Sequence, residues 1–273
     1  QWISAQQLNR EFASWRSVMK SLVDKGLSTR TKHPRLPEAA GSGEPGPPLN
    51  REQLAVVDAI NAQTDGYTTH LVHGVTGSGK TEVYISIAER VLKAGKQVLV
   101  LVPEISLTPQ LTNRFRTRLG VRTAALHSGL NDSQRLCAWS MAAQNQARLV
   151  IGTRSAVFTP MPNLGLIVID EEHDGSYKQQ DGLRYSARDL AVVRARRAAH
   201  GAGCPVVLGS ATPSLETLHN AREGRYRVLR LAARPGAARL PGLELLDVRG
   251  QPLDAGLSPV LLRELDAVLR RGG

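Results

Sequence analysis

The 273-residue sequence has only two cysteines, Cys137 and Cys204, and no Cys-x-x-Cys pair. A disulfide framework or a structural zinc site within this chain is therefore not expected, and both cysteines are predicted to be reduced core thiols of a cytosolic protein. Long apolar runs are also missing: Val98–Val102 is among the longest, far too short to span a bilayer. The sequence has no basic segment followed by an apolar stretch, so a signal peptide is not expected. The start at Gln1 suggests a piece of a longer protein.

Acidic residues are outnumbered by basic ones, 24 Asp and Glu against 35 Lys and Arg, which gives a net charge of +11. The hydrophobic fraction of 41% is enough for a buried core and excludes wholesale disorder. A strong positive balance suits a polyanionic partner such as nucleic acid, although a merely soluble, arginine-rich protein has the same balance.

Composition divides the chain into segments. Residues 1–30 are predicted to be helical, with Ser14 as an N-cap and Gly26 after the last turn. The segment 1–33 could belong to a helix-turn-helix or winged fold, or form a docking hairpin. Residues 34–48 are rich in Pro and Gly, which predicts a mobile linker. Residues 233–273 end in a helix with Ser258 as its N-cap.

Residues 49–232 alternate short apolar runs with amphipathic segments, which predicts a parallel sheet with helices on both faces. The predicted strands are 69–73, 97–102, 149–152, 164–170 and 206–209, and the predicted helices are 82–94, 107–119, 133–146 and 187–199.

The first of these strands leads directly into G-x-x-x-x-G-K-T, the phosphate-binding loop of nucleoside triphosphatases. Its glycines allow a tight turn that points backbone amides at phosphate oxygens, and the following helix adds its positive dipole end. Lys80 is predicted to reach the β and γ phosphates, and the Thr81 hydroxyl to bind Mg²⁺. The predicted nucleotide-binding residues are Gly74, Val75, Thr76, Gly77, Ser78, Gly79, Lys80 and Thr81.

Another predicted strand ends in the acidic run Asp170-Glu171-Glu172-His173. Ligands of open α/β sheets bind at the carboxyl ends of strands, so these acids belong beside the phosphate loop. Asp170 is the predicted Mg²⁺ ligand, and Glu171 the predicted base or orienter for the attacking water. Together with Lys80 they form the predicted catalytic set.

The D-E-x-H box and the later Ser210-Ala211-Thr212, combined with the phosphate loop, resemble the superfamily 2 helicases. This resemblance implies a RecA-like lobe in which His173 links the nucleotide site to Ser210 and Thr212. It also places Gln53 where such helicases read the adenine edge, to which an amide offers both a donor and an acceptor.

Longer motifs make the resemblance more specific. Residues 102–110, 127–129 and 152–156 look like the DNA-contacting motifs of a first helicase lobe, and residues 170–189 resemble the box and following loop of the bacterial PriA family of primosomal replication-restart helicases. Within that loop, Tyr177 and Tyr185 are predicted to stack on unpaired bases and Arg188 to meet phosphate, while Leu183 stands where a further aromatic is expected. The residues implied to bind DNA are Pro103, Glu104, Thr153, Arg154, Tyr177, Lys178, Arg184 and Tyr185.

The resemblance implies an ATP- and Mg²⁺-dependent 3′→5′ DNA helicase that acts at stalled forks and D-loops and restarts replication through primosome assembly. It implies single-strand DNA-binding protein and primosome proteins as partners, zinc only in a second lobe absent from this chain, and a monomer in the nucleoid-associated cytoplasm. Residues 1–33 would then end a winged-helix domain, and the chain alone would bind ATP and DNA with little hydrolysis. A RecG-like fork translocase and a non-catalytic, nucleotide-gated DNA-binding module are the alternatives.

Overall fold

The computed structural model of the chain describes residues 15–28, 43–63, 66–198, 201–232, 242 and 244–271. The chain divides into two units, residues 1–235 and residues 236–273. In the second unit, Ser258 accepts a hydrogen bond from the amide of Leu261 and caps a helix over Pro259–Arg270, as the sequence predicts.

A seven-stranded sheet forms the centre of the first unit, and every strand pairing in it is parallel. The strands are β1 (Thr68–Gly74), β2 (Gln97–Leu101), β3 (Thr123–Leu126), β4 (Leu149–Gly152), β5 (Leu164–Ile169), β6 (Lys178–Gln179), β7 (Tyr185–Ser186), β8 (Pro205–Ser210) and β9 (Arg227–Leu231). Their order in the sheet is β3-β4-β2-β5-β8-β1-β9, and the remaining strands β6 and β7 form a separate antiparallel hairpin. The predicted α/β fold class is therefore confirmed.

Successive side chains of a strand point to opposite sides of the sheet. Both faces of this sheet therefore have apolar side chains to bury, and helices cover both of them. The helices are α1 (Trp15–Asp24), α2 (Arg51–Asn61), α3 (Lys80–Lys93), α4 (Pro109–Leu119), α5 (Asp132–Ala143), α6 (Ala187–Arg197), α7 (Leu215–Arg222) and α8 (Pro259–Arg270). Leu71 and Ile167 pack with α5 and α6 in one core, whereas Val72 and Val168 pack with α2, α3 and α4 in the other.

Six of these strands and helices were not predicted from the sequence: α2, α7, the two outer strands β3 and β9, and the short hairpin strands β6 and β7. Helix α2 carries a capping box in which Asn50 and Gln53 exchange side-chain and backbone hydrogen bonds, a signal that the sequence does contain. Strand β9 includes Arg227 and Arg230 and is mostly exposed, so it has no apolar run to reveal it. Residues 227–231 thus form an edge strand of the sheet.

The described end of the predicted linker, residues 43–48, has no helix or strand but is held against α4. Glu44 donates its amide to Thr117 O at 3.1 Å and accepts from Arg118 Nε at 3.1 Å. A Cβ on Gly46 would lie 1.8 Å from the Arg118 guanidinium, so glycine allows this approach. This part of the predicted linker therefore contacts α4, and its mobility stays a prediction.

Among the predicted caps, Gly26 has the left-handed φ of 69° expected after α1, whereas Ser14 lies outside the described residues. Both cysteines are free; Cys204 is buried, and burial raises the pKa of its thiol to about 12. Of the helices that the structure describes, none has the length and apolarity to cross a membrane.

His70 in β1 makes stability depend on pH. Its side chain is fully buried, and burial, followed by the charge of Arg227, lowers the pKa of His70 from 6.5 to about 4. Between these two pH values a histidine of the unfolded chain binds a proton, whereas His70 of the folded chain stays neutral. The free energy of unfolding therefore decreases as the pH falls from about 6.5 towards 4. We expect the free energy of unfolding to drop by about 2 kcal/mol between pH 7.5 and 5 on account of His70.

Urea unfolding at the two pH values measures this drop. His70→Gln should remove most of it, and His219→Gln, on the exposed side of α7, serves as the matched control. An equal pH dependence in His70→Gln and the unsubstituted chain would contradict the assignment.

Candidate nucleotide and nucleic-acid site

The predicted phosphate loop connects β1 to α3. Gly77 and Gly79 adopt left-handed φ angles of 80° and 83°, a conformation that side-chain-bearing residues rarely take. Gly79 is the N-cap of α3 and supplies no side-chain cap, whereas Asn, Ser or Thr caps every other helix whose N-cap the structure describes. The amides at the start of α3 therefore remain available for an anion.

Lys80 lies inside this loop with only 7% of its surface exposed. Its Nζ donates to Gly74 O at 3.0 Å and lies 3.6 Å from Glu171 Oε1. The hydroxyl of Ser78 is buried without a hydrogen-bond partner, and a Cβ on Gly74 would come within 2.6 Å of it. An ammonium and an unpaired donor are thus enclosed where phosphate oxygens are predicted to bind.

Gln53 is buried beside the loop, where its amide Nε2 donates to Ser78 O at 3.0 Å and its Oε1 accepts from the amide of Asn50 at 2.9 Å. The side chain therefore ties α2 to the phosphate loop. Its predicted reading of adenine stays a prediction, since in this conformation the Nε2 donor already has a partner within the protein.

Asp170 follows β5, and its carboxylate contacts helix α3, which begins at the end of the phosphate loop. Asp170 Oδ1 accepts from Tyr84 Oη of α3 at 3.0 Å. Burial and the neighbouring charge of Glu171 raise the pKa of Asp170, although the Tyr84 hydroxyl and Lys80 act in the opposite direction. A Cβ on Gly209 would lie 1.5 Å from Tyr84 Oη, so glycine in β8 makes room for this contact.

Glu171, the second residue of the acidic box, contacts both Lys80 and His173. It has a left-handed φ of 44°, a strained conformation for a residue other than glycine, which costs on the order of 1 kcal/mol. Its carboxylate lies between Lys80 and His173, each 3.6 Å away. Strain of this kind is often found where a side chain must be aimed at a reacting group.

His173 contacts the segment to which it is predicted to link the nucleotide site. His173 Nδ1 lies 2.8 Å from Ser210 Oγ, which also accepts from the amide of Thr212 at 3.0 Å. His73 at the end of β1 adds a contact of 3.3 Å between its Nε2 and Ala211 O. The acidic box, the phosphate-loop strand and the residues 210–212 are therefore joined by hydrogen bonds.

Sequence reasoning missed the buried pair formed by Glu172 and Arg188, which are 2% and 6% exposed. Arg188 Nη1 donates to Glu172 Oε2 at 3.1 Å and to Ser214 Oγ at 2.6 Å. Glu172 also accepts from the Ser214 amide at 2.8 Å and from Thr217 Oγ1 at 2.7 Å. Arg188 is thus used internally, which corrects the prediction that it meets phosphate; a charge at the first turn of a helix gives no hint of such pairing.

The set of donors fits a nucleotide with Mg²⁺. Thr81 stands at the second position of α3, and the Asp170 carboxylate contacts Tyr84 of the same helix. Hydroxyl and carboxylate oxygens are the ligands that Mg²⁺ takes in phosphate-loop sites. No group of three or more His, Cys, Asp or Glu side chains within the described residues forms a metal site.

Four of the residues predicted to bind DNA line one cleft of about 750 Å³: Glu104, Thr153, Arg154 and Tyr185. Arg154 Nη1 donates to Ser176 O and Lys178 O, both at 3.1 Å, so it joins the segment after β4 to the loop after the box. Glu104 accepts a hydrogen bond from Ser128, which belongs to another of the predicted motifs.

The other four lie elsewhere. Arg184 is exposed near the tip of the β6–β7 hairpin, and the exposed Lys178 pairs with Glu216 at 3.2 Å. Pro103 is buried and accepts the amides of Ser106 and Leu107, so it shapes a turn and does not line the cleft.

The stacking role predicted for Tyr177 is wrong in this structure. Tyr177 is only 2% exposed, and its hydroxyl donates to Asp170 O at 2.7 Å, so it packs beneath the box. Tyr185 is half-buried and meets Phe158 edge-on, with ring centroids 5.0 Å apart. Only Tyr185 of the two can therefore offer a ring to a base.

Comparisons with known proteins agree with this arrangement. The model of a family described as DEAD/DEAH box helicase matches residues 50–221. Replication restart protein PriA of Haemophilus influenzae is 48% identical over 224 residues, which cover 82% of this chain and 30% of that protein. PriA of Bacillus subtilis is 40% identical over 280 residues, covering 99% of this chain and 34% of that protein.

The chain spans about a third of the length of these curated relatives. Among solved structures, RecG bound to a three-way DNA junction is similar, with a TM-score of 0.52, 20% identity, and coverage of 82% of this chain and 27% of that one. At this identity the likeness shows the fold.

The buried pair should be worth far more than an exposed one. Arg188→Met leaves the Glu172 carboxylate uncompensated in the interior, which should lower the free energy of unfolding by about 3–5 kcal/mol. Lys178→Met removes the exposed pair with Glu216 and should cost less than about 1 kcal/mol. Urea unfolding of both variants measures the two costs, and equal losses would contradict the importance given to the buried pair.

Proposed function

The chain belongs to the DEAD/DEAH box helicase family, and from this premise we propose that it is the ATP- and DNA-binding first lobe of a 3′→5′ DNA helicase of the PriA type. The longer protein would act at stalled replication forks and D-loops and restart replication through primosome assembly. Its partners would be DNA, single-strand DNA-binding protein and helicase-loading primosome proteins. The relatives named replication restart protein PriA support this proposal. The likeness to RecG is of the fold alone and does not favour a RecG-type function.

One observation carries the proposal: Lys80 of the phosphate loop and Glu171 of the acidic box lie 3.6 Å apart at the carboxyl ends of β1 and β5. This pairing is what a nucleotide hydrolase needs, because a cation must meet the phosphates beside the group that orients water. The family match across residues 50–221 spans both segments.

Different residues of the chain would bind the phosphates, the adenine, the Mg²⁺ ion and the attacking water. Lys80 and the amides of residues 74–81 hold the β and γ phosphates, while Gln53 meets the adenine edge after exchanging its contact with Ser78. Thr81 and Asp170 hold Mg²⁺, which when bound neutralises phosphate charge. Glu171, aimed by its strained backbone, orients the attacking water.

DNA would influence this site through hydrogen bonds present in the fold. Tyr185, Lys178 and Arg184 belong to the hairpin after the box, and Arg154 holds the carbonyls of Ser176 and Lys178. A strand that binds there pulls on residues directly following Glu171 and His173. The contact between His173 and Ser210 then carries the change to residues 210–212.

Alone, the chain would bind ATP and DNA and hydrolyse little. A superfamily 2 motor closes two lobes on ATP, and an arginine from outside the phosphate-loop lobe can contribute roughly 10³–10⁵ in rate. We retain the division into a winged-helix segment (1–33), a linker (34–48), the lobe (49–232) and a connector (233–273). Zinc would belong to the second lobe of the longer protein, which would be a cytoplasmic, nucleoid-associated monomer.

Lys80→Ala tests the nucleotide site directly. Loss of charge-assisted hydrogen bonds worth about 1.5–3 kcal/mol should weaken binding of a fluorescent ATP analogue in Mg²⁺ by about 10–100-fold. Lys93→Ala, which removes an exposed lysine paired with Glu89 at the other end of α3, is the matched control and should bind as the unsubstituted chain does.

Equal affinity in Lys80→Ala and the control would contradict the phosphate site. If the unsubstituted chain separated DNA strands faster than Lys80→Ala does, this would contradict the claim that this lobe alone does not work as a motor.

A further inference from the structure

Helix α5 has an exposed apolar face that the core does not use. Ala138, Met141 and Ala142 are buried on one side of the helix. On another side, Leu136 and Trp139 are 69% and 39% exposed. These two residues are three positions apart and therefore neighbours on the helix surface. An exposed tryptophan beside an exposed leucine is a costly arrangement unless something covers them.

The two side chains line the same cleft as the residues predicted to bind DNA. Phe158, 45% exposed, and Tyr185 also line it, and their rings meet edge-on at an interplanar angle of 71°. An aromatic surface of this kind is typical of sites where unpaired bases stack, since every base has a π face.

Arginine side chains line the cleft together with the aromatic rings. Arg135 is four residues before Trp139 on α5, so the two share one side of the helix, and Arg154 contributes a second cation. Two acids, Asp132 and Glu104, also line the cleft and formally balance these charges. Because the helix dipole at the first turn of α5 offsets part of the Asp132 charge, Arg135 is the cation placed to meet a phosphate on the Trp139 side.

The cleft opens at the edge of the sheet that also holds the nucleotide site. Leu126 ends β3 and Thr153 directly follows β4, and both residues line the cleft. Because all strands of the sheet are parallel, these positions share the carboxyl edge with residues 74–81 and 170–173. A strand of nucleic acid on this edge can therefore reach the aromatic surface.

We propose that Trp139 stacks on an unpaired base of single-stranded DNA, with Leu136 and the Phe158–Tyr185 pair as the other walls and Arg135 on an adjacent phosphate. The inference rests on the proposed function and adds a base-binding subsite on α5 to it. Neither the loop after the box nor the nucleotide site includes this helix.

Fluorescence anisotropy of a labelled oligo(dT) tests the subsite, using the 273-residue chain. Trp139→Leu should weaken binding about tenfold, because stacking of one base contributes about that much affinity. Trp139→Phe keeps a π face and should retain most of the affinity. Trp15→Leu, a tryptophan of α1, is the matched control and should bind as the unsubstituted chain does.

A second measurement keeps Trp139 intact and so does not depend on how its variants fold. In the double variant Trp2→Phe/Trp15→Phe, Trp139 is the only tryptophan, and oligo(dT) should quench its emission. Oligo(dT) binding without quenching, and with unchanged affinity in Trp139→Leu, would overturn the subsite and leave the proposed function intact. No binding of oligo(dT) by the unsubstituted chain would overturn both.

Discussion

The parallel direction of all strands in the central sheet is the constraint on which the site depends. It places the ends of β1, β5 and β8 side by side at one edge, so that segments about 90 and 40 residues apart in sequence become neighbours. Lys80, Glu171, His173 and Ser210 each follow or end one of these strands. The register of the parallel pairing then determines which residues come into contact. Because His73 of β1 pairs with Ser210 of β8, the phosphate loop lies directly beside residues 210–212.

Polar groups beneath this edge are held by specific partners, because buried charge is unfavourable without them. Tyr84 and Tyr177 donate to two different oxygens of Asp170, one on the side chain and one on the backbone. Glu172 accepts four hydrogen bonds from three residues of two later segments. These contacts fix the box between α3, α6 and α7, so that movement of any of these helices reaches the carboxylates.

The sequence was sufficient for the fold class and for the positions of the phosphate loop and the acidic box, because glycine spacing and apolar runs are local signals. It was not sufficient to predict the burial of Tyr177 and Arg188. An aromatic or a basic residue in a polar loop is expected to be exposed unless its tertiary partner is known. Their burial depends on Asp170 and Glu172, which are 7 and 16 residues away. Strand β9 was missed for a similar reason: pairing with β1, not apolar composition, makes it a strand.

The central claim is that the phosphate loop, the acidic box and the Ser-Ala-Thr segment form one nucleotide site whose parts respond together. Hydrogen–deuterium exchange of the chain with and without ATP and Mg²⁺ tests it most directly. The account predicts slower exchange in residues 74–83, 170–173 and 209–212 together, because Lys80, Glu171, His173 and Ser210 form a continuous chain of contacts. Protection confined to residues 74–83, or absent from all three segments, would contradict the account.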